Sequence, residues 1–426
     1  MADLLKARWE PTQSSGLSRK ARQGCEYGAY LPDPLVGREF SLDGGTAADV
    51  ADAERAIAGL NAGARALVDA EAIARLLLRA EAVASSTIEG LQIGGRRLLR
   101  AQLARDTDGG ADDVGAVEIL NNVDAMRWAV STLTARDRIA VDDLLQIHDR
   151  LLAGTTLESH GGRMREEQNW IGGSDFHPCR AAFVPPPPEH VPMLLEDLCA
   201  FLAEDSVPAV VQAAIAHAQF ETIHPFIDGN GRTGRALVHV VLRRRGLAPH
   251  VVLPLSLVLA TWSADYVDGL TATRYLGDPA APEAAAGLNR WISLFAAACR
   301  RAVTDAEAYE ARVTEIAERW RARLGGVRSG SSVDRLIDAL PGAPIVTVKS
   351  AAALTGRSVQ AVNEAIPRLL AAGVLRQTSV GARNRAFEAP ELIESFNALE
   401  RQLASPDGDT RVSRPPRSVP ARLDRR

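Results

Sequence analysis

Long apolar runs are missing from this sequence. No stretch of its 426 residues approaches the roughly 18 that a membrane-spanning helix requires, and no basic-apolar-small signal segment opens it. Both absences predict a protein with no membrane partner. A strong field of either sign is missing as well: the net charge is -4 and the pI near 6.1, so any nucleic-acid contact has to be local. Cysteine is scarce, and Cys25, Cys179, Cys199 and Cys299 show neither CxxC nor zinc spacing. That pattern predicts four reduced thiols, each buried or merely tolerated, in a cytoplasmic protein. What is present, 46% hydrophobic and 24% charged residues, is enough for two or three domains with substantial cores.

Helical periodicity is the next signal. Over 71–88, Ile73, Leu76, Leu77, Ala80, Val83, Ala84 and Ile88 recur at three- and four-residue steps, which is one apolar face of a helix. Gly90 then supplies the residue type that tolerates a left-handed helix end, placing Glu89 at the carbonyl terminus. A carboxylate there costs about 0.3–1 kcal/mol. Glu89 therefore reads either as a solvated residue at a frayed end or as the partner of a cation from elsewhere. Helical patterns continue over 114–132 and 141–152, with His148 a core-edge residue of the second.

Residues 161–188, GGRMREEQNWIGGSDFHPCRAAFVPPPP, differ in character. Two short apolar strands around a loop, closed by four prolines, predict a hairpin flap with a stiff exit. The free edge of such a flap can recruit an extended peptide through backbone hydrogen bonds; an ordinary surface hairpin is the alternative. A further helix opens at Pro208 and must end before Pro225, so His224 sits at a helix-to-loop junction.

The most informative stretch is 224–235, HPFIDGNGRTGR. A helix starting near Asn230 puts Arg232 and Arg235 on one face of its first turn. Two cations at the positive end of a helix dipole call for an anion. Gly229 and Gly231 let the backbone approach a phosphate while the first-turn amides point at it. Asp228 can hold magnesium, and His224 can accept a proton near neutral pH. Together these parts predict nucleotide-dependent transfer at phosphorus. A metal-hydrolase reading of His217, Glu221, His224 and Asp228 fails because Pro225 interrupts the helical spacing and no zinc pattern is present; His217 and His239 read as packing residues.

His224, Phe226, Asp228, Gly229, Asn230, Gly231, Arg232 and Arg235 resemble the Fic family signature H-x-F-x-(D/E)-G-N-G-R-x-x-R at every specified position. The resemblance covers roughly 141–303. It implies a mainly α fold, a Fic-type helical bundle core with a β-hairpin flap, and transfer of AMP from ATP to a Ser, Thr or Tyr hydroxyl of a protein. In that reading His224 is the base, Phe226 a core anchor and Asp228 the Mg2+ ligand. Asn230, the two glycines and Arg232 hold the α- and β-phosphates, and Arg235 the γ-phosphate. Tyr266 resembles a position near the adenine pocket. Gly231 stands where the related death-on-curing kinases carry lysine, which favours AMP transfer over kinase action. Ser85 to Glu89 and Gly90, SSTIEG, resemble the family's inhibitory motif (S/T)-x-x-x-E-(G/N), whose glutamate pairs with the second motif arginine, here Arg235. The same glutamate could instead serve removal of AMP from a target.

Towards the C-terminus, helical patterns over 333–340, 348–354 and 358–372, followed by strands at 374–377 and 385–388 around Gly381, resemble a winged helix-turn-helix, a small α+β domain. DNA contact through Arg357, Gln360 and Asn363, with Arg376, Arg383 and Arg385 on the wing, is one expectation, and protein contact or a homodimer the other. The expected divisions are 1–135 (N-terminal helices with the inhibitory helix), 136–305 (catalytic core), 306–330 (linker helix and hinge), 331–395 (winged helix) and 396–426 (helical end and disordered Arg/Pro-rich tail). The leading expectation is a cytoplasmic protein adenylyltransferase held off by Glu89, its protein substrate docking on the flap at 171–184. The competing one is a DNA-binding regulator whose Fic core senses ATP.

Overall fold

The computed structural model describes residues 1–10, 24–64, 70–91, 93–106, 113–174, 176–380 and 384–402. The expected disordered tail, Gly381 and Arg383 lie outside those residues. Two strands, β1 (Asp3–Trp9) and β2 (Cys25–Leu31), precede the helices α1 (Gly44–Ala64), α2 (Ala70–Ile88), α3 (Gly95–Asp106), α4 (Val114–Thr132), α5 (Val141–Leu152), α6 (Val191–Phe201), α7 (Ala209–Ile223) and α8 (Asn230–Arg244). Then follow α9 (Leu255–Thr261), α10 (Ser263–Ala272), α11 (Pro282–Arg323), α12 (Ser332–Ala339), β3 (Ile345–Thr347), α13 (Val348–Thr355), α14 (Val359–Ala371), β4 (Arg376–Val380), β5 (Asn384–Glu388) and α15 (Pro390–Gln402). The fold is mainly helical with two small sheets. No helix among the described residues is long and apolar enough to cross a membrane.

The chain divides into two compact units, each built from discontinuous pieces, rather than into the consecutive blocks that the sequence suggests. The expected break near 305 is absent because α11 runs unbroken from Pro282 to Arg323.

One unit comprises 1–54, 128–245 and 264–297. At its centre lie α7 and α8, both buried along most of their length. Gly234 lets the two helices approach closely, since a Cβ there would stand 3.0 Å from a ring carbon of Phe220 and 3.1 Å from a carboxylate oxygen of Glu221. Phe220, Phe226, Trp291 and Phe295 fill the surrounding core, and the Trp291 indole N–H donates to the Ala214 carbonyl at 2.8 Å. The flap is looser than two strands: isolated bridges join Ile171 to Phe183 and Ser174 to His177. Gly172 and Gly173 both take positive φ there.

The N-terminal residues form an antiparallel pair running from Asp3 opposite Leu31 to Trp9 opposite Cys25. This pair lies on the flap. The Tyr30 N–H donates to the Val184 carbonyl at 2.9 Å, and the Trp9 and Trp170 rings meet edge to face with centroids 5.4 Å apart. Cys25 and Cys179 are joined in a disulfide across 154 positions, which corrects the expectation of four reduced thiols. Scattered spacing carries no information about a pairing that only the folded chain brings together. Cys199 and Cys299 remain free and buried, as expected.

The second unit comprises 55–127, 246–263 and 298–426. Leu76, Ala80 and Ala84 on α2 share a core with Trp320, Leu336, Ile337, Val362, Leu369 and Phe387, so the apolar face read from the sequence is the face that is buried. Helix α2 ends as its residues dictate: the Leu91 N–H reaches back to the Ser86 carbonyl and the Gly90 N–H to the Thr87 carbonyl, each at 3.0 Å, with Gly90 at φ 83°. Glu81, wholly buried on the same helix, accepts from the backbone N–H and hydroxyl of Ser256 at 2.6 and 2.5 Å. The order α12–β3–α13–α14–β4–β5 builds a three-stranded antiparallel sheet arranged β3-β5-β4.

The disulfide is directly testable. Unreduced, denatured protein is expected to alkylate at Cys199 and Cys299 alone, with Cys25 and Cys179 reacting only after reduction, as read by peptide mass spectrometry. Replacing Cys25 by Ser should lower stability by about 2–4 kcal/mol in non-reducing buffer.

Candidate nucleotide-binding site

Helix α7 cannot continue past Ile223 because Pro225 follows, and the chain reverses through His224. This histidine sits at φ 49°, ψ 61°, and among the described residues no other non-glycine has positive φ. A left-handed backbone disfavours any side chain with a Cβ, so its surroundings must hold it there. Arg165 does much of this: its Nε donates to the His224 carbonyl at 2.9 Å, its Nη2 to the Pro186 and Ile223 carbonyls at 2.5 and 3.4 Å, and its own N–H to the Pro225 carbonyl at 2.9 Å. Asn169 adds a bond from its amide nitrogen to the Phe226 carbonyl at 3.0 Å. Burial draws the Arg165 guanidinium down to about 10, still far above neutral pH, so it stays charged.

Below the loop, His148 stacks flat on Phe226, centroids 3.7 Å apart, and its Nε2 lies 3.1 Å from the Asp228 carbonyl. That bond requires the proton on Nε2, and burial pushes the ring's pKa down to about 4, so His148 is neutral. The core-edge residue expected from the sequence is thus a wholly buried prop beneath the loop. His217, also wholly buried, bonds the Tyr266 hydroxyl at 2.8 Å; burial first, then the nearby Arg235, lowers its pKa to about 3. Both His217 and His239 are buried, in keeping with packing roles. Tyr266 is only 5% exposed, which leaves it little surface for a ligand.

The motif residues then fall into place on one turn. Phe226 is completely buried and anchors the loop. Gly229 sits at φ 76°, and a Cβ there would come within 2.7 Å of a Leu151 methyl, so a larger residue would be strained and would displace Leu151. The Asn230 carboxamide is committed to the loop itself, accepting from the Phe226 N–H and donating to its carbonyl, both at 2.8 Å. What Asn230 offers a phosphate is therefore its backbone. The first bond of α8 along the helix joins the Thr233 N–H to the Gly229 carbonyl at 3.0 Å, placing the amides of 230–232 in the turn before it. Arg232 and Arg235 are 3% and 2% exposed. Arg232 Nη2 donates to Asp228 at 2.9 Å, while its Nε and Nη1 are buried with no acceptor among the described residues. His224 Nδ1 faces a carboxylate oxygen of Glu221 at 3.9 Å.

Two orphaned guanidinium donors beside a left-handed glycine and a helix N-terminus fit an anion. Magnesium fits on narrower grounds. Among the described residues no three acids, histidines or cysteines cluster as a metal cage, but the half-exposed Asp228 suits an ion that takes most of its ligands from phosphate and water. Ser85 and Glu89 belong to the other unit: Ser85 is wholly buried on α2, and Glu89 is exposed just beyond its last turn.

Residues 138–242 match the Fic/DOC family model. Residues 47–131 match the model of the Fic/DOC family N-terminal region. Among curated proteins, protein adenylyltransferase fic-1 of Caenorhabditis elegans is 31% identical over 180 residues, 41% of this chain and 33% of that protein. Protein adenylyltransferase Fic of Drosophila ananassae is 36% identical over 140 residues, 32% of this chain and 26% of that one. The chain thus spans about a third or less of the length of these two relatives. Among solved structures, a Fic family protein from Desulfovibrio desulfuricans G20 superposes with a TM-score of 0.50 at 20% identity, over 82% of this chain and 97% of that one, a likeness of fold.

Arg165 and Asn169 escaped the sequence reading, because neither belongs to a motif and both act on carbonyls more than fifty positions away. Arg165→Met keeps the packing volume and leaves buried carbonyls unsatisfied, so a loss of about 2–4 kcal/mol in denaturant unfolding is expected. The buried histidines set an acid limit. His148 and His217 have folded pKa values below the unfolded value of about 6.5, so unfolding takes up protons and stability falls as pH drops from 6.5 towards 4. Each contributes at most about 1.4 kcal/mol per pH unit. His148→Gln should flatten the decline of Tm across that window.

Proposed function

We propose that the protein is a magnesium-dependent adenylyltransferase that moves AMP from ATP to a hydroxyl of another protein. The observation that carries this reading is Arg232, buried with two uncommitted donors in the first turn of α8, just after Gly229 and eight positions after His224. In this reading the amides of 230–232 and the Arg232 guanidinium hold the phosphates next to the leaving pyrophosphate, and Arg235 holds the γ-phosphate. His224 Nδ1 faces Glu221, so Nε2 takes the proton of the incoming hydroxyl as its oxygen bonds to the α-phosphorus and the bond to pyrophosphate breaks. Asp228 would hold Mg2+, which when bound neutralises phosphate charge. The left-handed backbone held by Arg165 fixes the point at the end of α7 from which the imidazole projects.

The substrate chain is proposed to dock on the flap, whose Ile171 and Phe176 side chains are exposed. We also propose that Glu89 restrains the site by pairing with Arg235. Glu89 follows the negative end of α2 and Arg235 lies near the positive end of α8, so a pair between them would offset the helix-end placement of each. The C-terminal arrangement α12–β3–α13–α14–β4–β5 supports a winged-helix reading. Three of the six side chains assigned to DNA, however, are engaged within the chain: Arg376 with Glu388, Gln360 with Glu364, and Arg357 with the Gly330 carbonyl. The regulator reading therefore gains no separate support. The Cys25–Cys179 bond is of the kind that persists in oxidising surroundings, which argues against a cytoplasmic location.

Incubation with α- and γ-labelled ATP tests the proposal. Protein-bound label from the α-position alone is expected; γ-label would mean kinase action, and no label from either position in the Glu89→Gly variant would sink AMP transfer. Glu89→Gly should raise labelling at least tenfold and His224→Ala should abolish it. Equal labelling by the wild type and Glu89→Gly at matched ATP and Mg2+ would exclude the restraint.

A further inference from the structure

The unit comprising 55–127, 246–263 and 298–426 contains a cavity of about 620 Å³ that the nucleotide chemistry does not use. That volume lies within the range of small-molecule and cofactor sites, about 300–1,000 Å³. Its walls carry four cations: Arg75 and Arg79 from α2, Arg127 from α4 and Lys349 from α13. No carboxylate stands among the lining residues. We propose that this cavity is a second ligand site, which takes a phosphorylated small molecule of nucleotide size.

The geometry of the walls argues for that class. Arg75 and Arg79 are one helical turn apart, so α2 presents both guanidinium groups on one face. Arg79 is only 6% exposed, and its Nη2 donates to the Gln102 side-chain oxygen at 2.9 Å, which fixes the guanidinium at the cavity wall. Arg127 is oriented by Asp124, whose carboxylate it shares with Arg105. On α13, Thr347 and Ser350 close a reciprocal capping box, which leaves the positive end of that helix ordered beside Lys349. An anion is thus favoured by guanidinium groups from one helix and by the ammonium and helix dipole of another. The remaining wall is apolar, formed by Leu99, Leu103, Ile345 and Leu354. Bare phosphate would leave that surface wet, whereas a ring attached to the phosphate would cover it. Size, charge and apolar floor together select a ring-bearing phosphate over an inorganic ion.

The site is independent of the proposed transfer chemistry, and adenosine monophosphate is a suitable probe because it can report both. Calorimetric titration of the full chain should show two equivalents bound. Lys349→Glu and Ala353→Trp, the latter filling the cavity from its wall, should each leave one equivalent, and Arg232→Ala should leave the other. Thermal melts of each variant show that it is folded, and a cavity variant that fails to fold is replaced by the other. Inorganic phosphate titrated in parallel should bind the cavity at least tenfold more weakly. A single wild-type equivalent that Arg232→Ala removes, two in both folded cavity variants, or equal affinity for phosphate and the nucleotide would overturn the proposal. Loss of only the Arg232-dependent equivalent from the wild type would instead count against the transfer site and leave the cavity standing.

Discussion

The candidate site depends on one guanidinium gripping the backbone. A left-handed histidine between a buried helix and a proline would relax if nothing held its carbonyl, and Arg165 holds that carbonyl together with those of Ile223 and Pro186. Because the same group reaches both the end of α7 and the exit of the flap, the position of His224 and the position of the flap are set by a single side chain. His148 and Asn230 then fix the floor and the bend of the loop through the carbonyl of Asp228 and the backbone of Phe226. Few polar atoms of the loop are left to compete for a ligand, which is how the Arg232 donors come to stand apart.

Much of this was legible in the sequence, and the parts that were have a local cause. Pro225 ends α7 whatever surrounds it, so the junction at His224 follows from chain chemistry alone. The Gly90 turn with its two back-reaching amides is likewise a property of six consecutive residues. The apolar face of α2 follows from its spacing, and all of Leu76, Ala80 and Ala84 lie in a core. The left-handed conformation of His224 was not foreseen, since proline only disfavours the helical angles without choosing among the others.

What could not be read is non-local. Arg165 and Asn169 act across more than fifty residues, and their own neighbourhood, MREEQNW, resembles any polar loop. The same holds for the division of the chain. Boundaries were sought between consecutive blocks, but the two units interleave, and the helix expected as a linker over 306–330 is the end of α11, which begins at Pro282 inside the expected core. The wing arginine Arg376 shows the complementary limit: composition suggested a phosphate contact, while the folded chain gives it the buried Glu388.

The bond between Cys25 and Cys179 turns the polypeptide into a lariat. Its ring holds α1 to α5, and its tail carries every later element. A cut in an exposed connection within the ring would therefore release no fragment until the sulfurs were reduced, so the N-terminal strands and the flap would travel together through proteolysis. In a reducing compartment the same chain would be linear, and β1 and β2 would be held to the flap by hydrogen bonds and ring contacts alone.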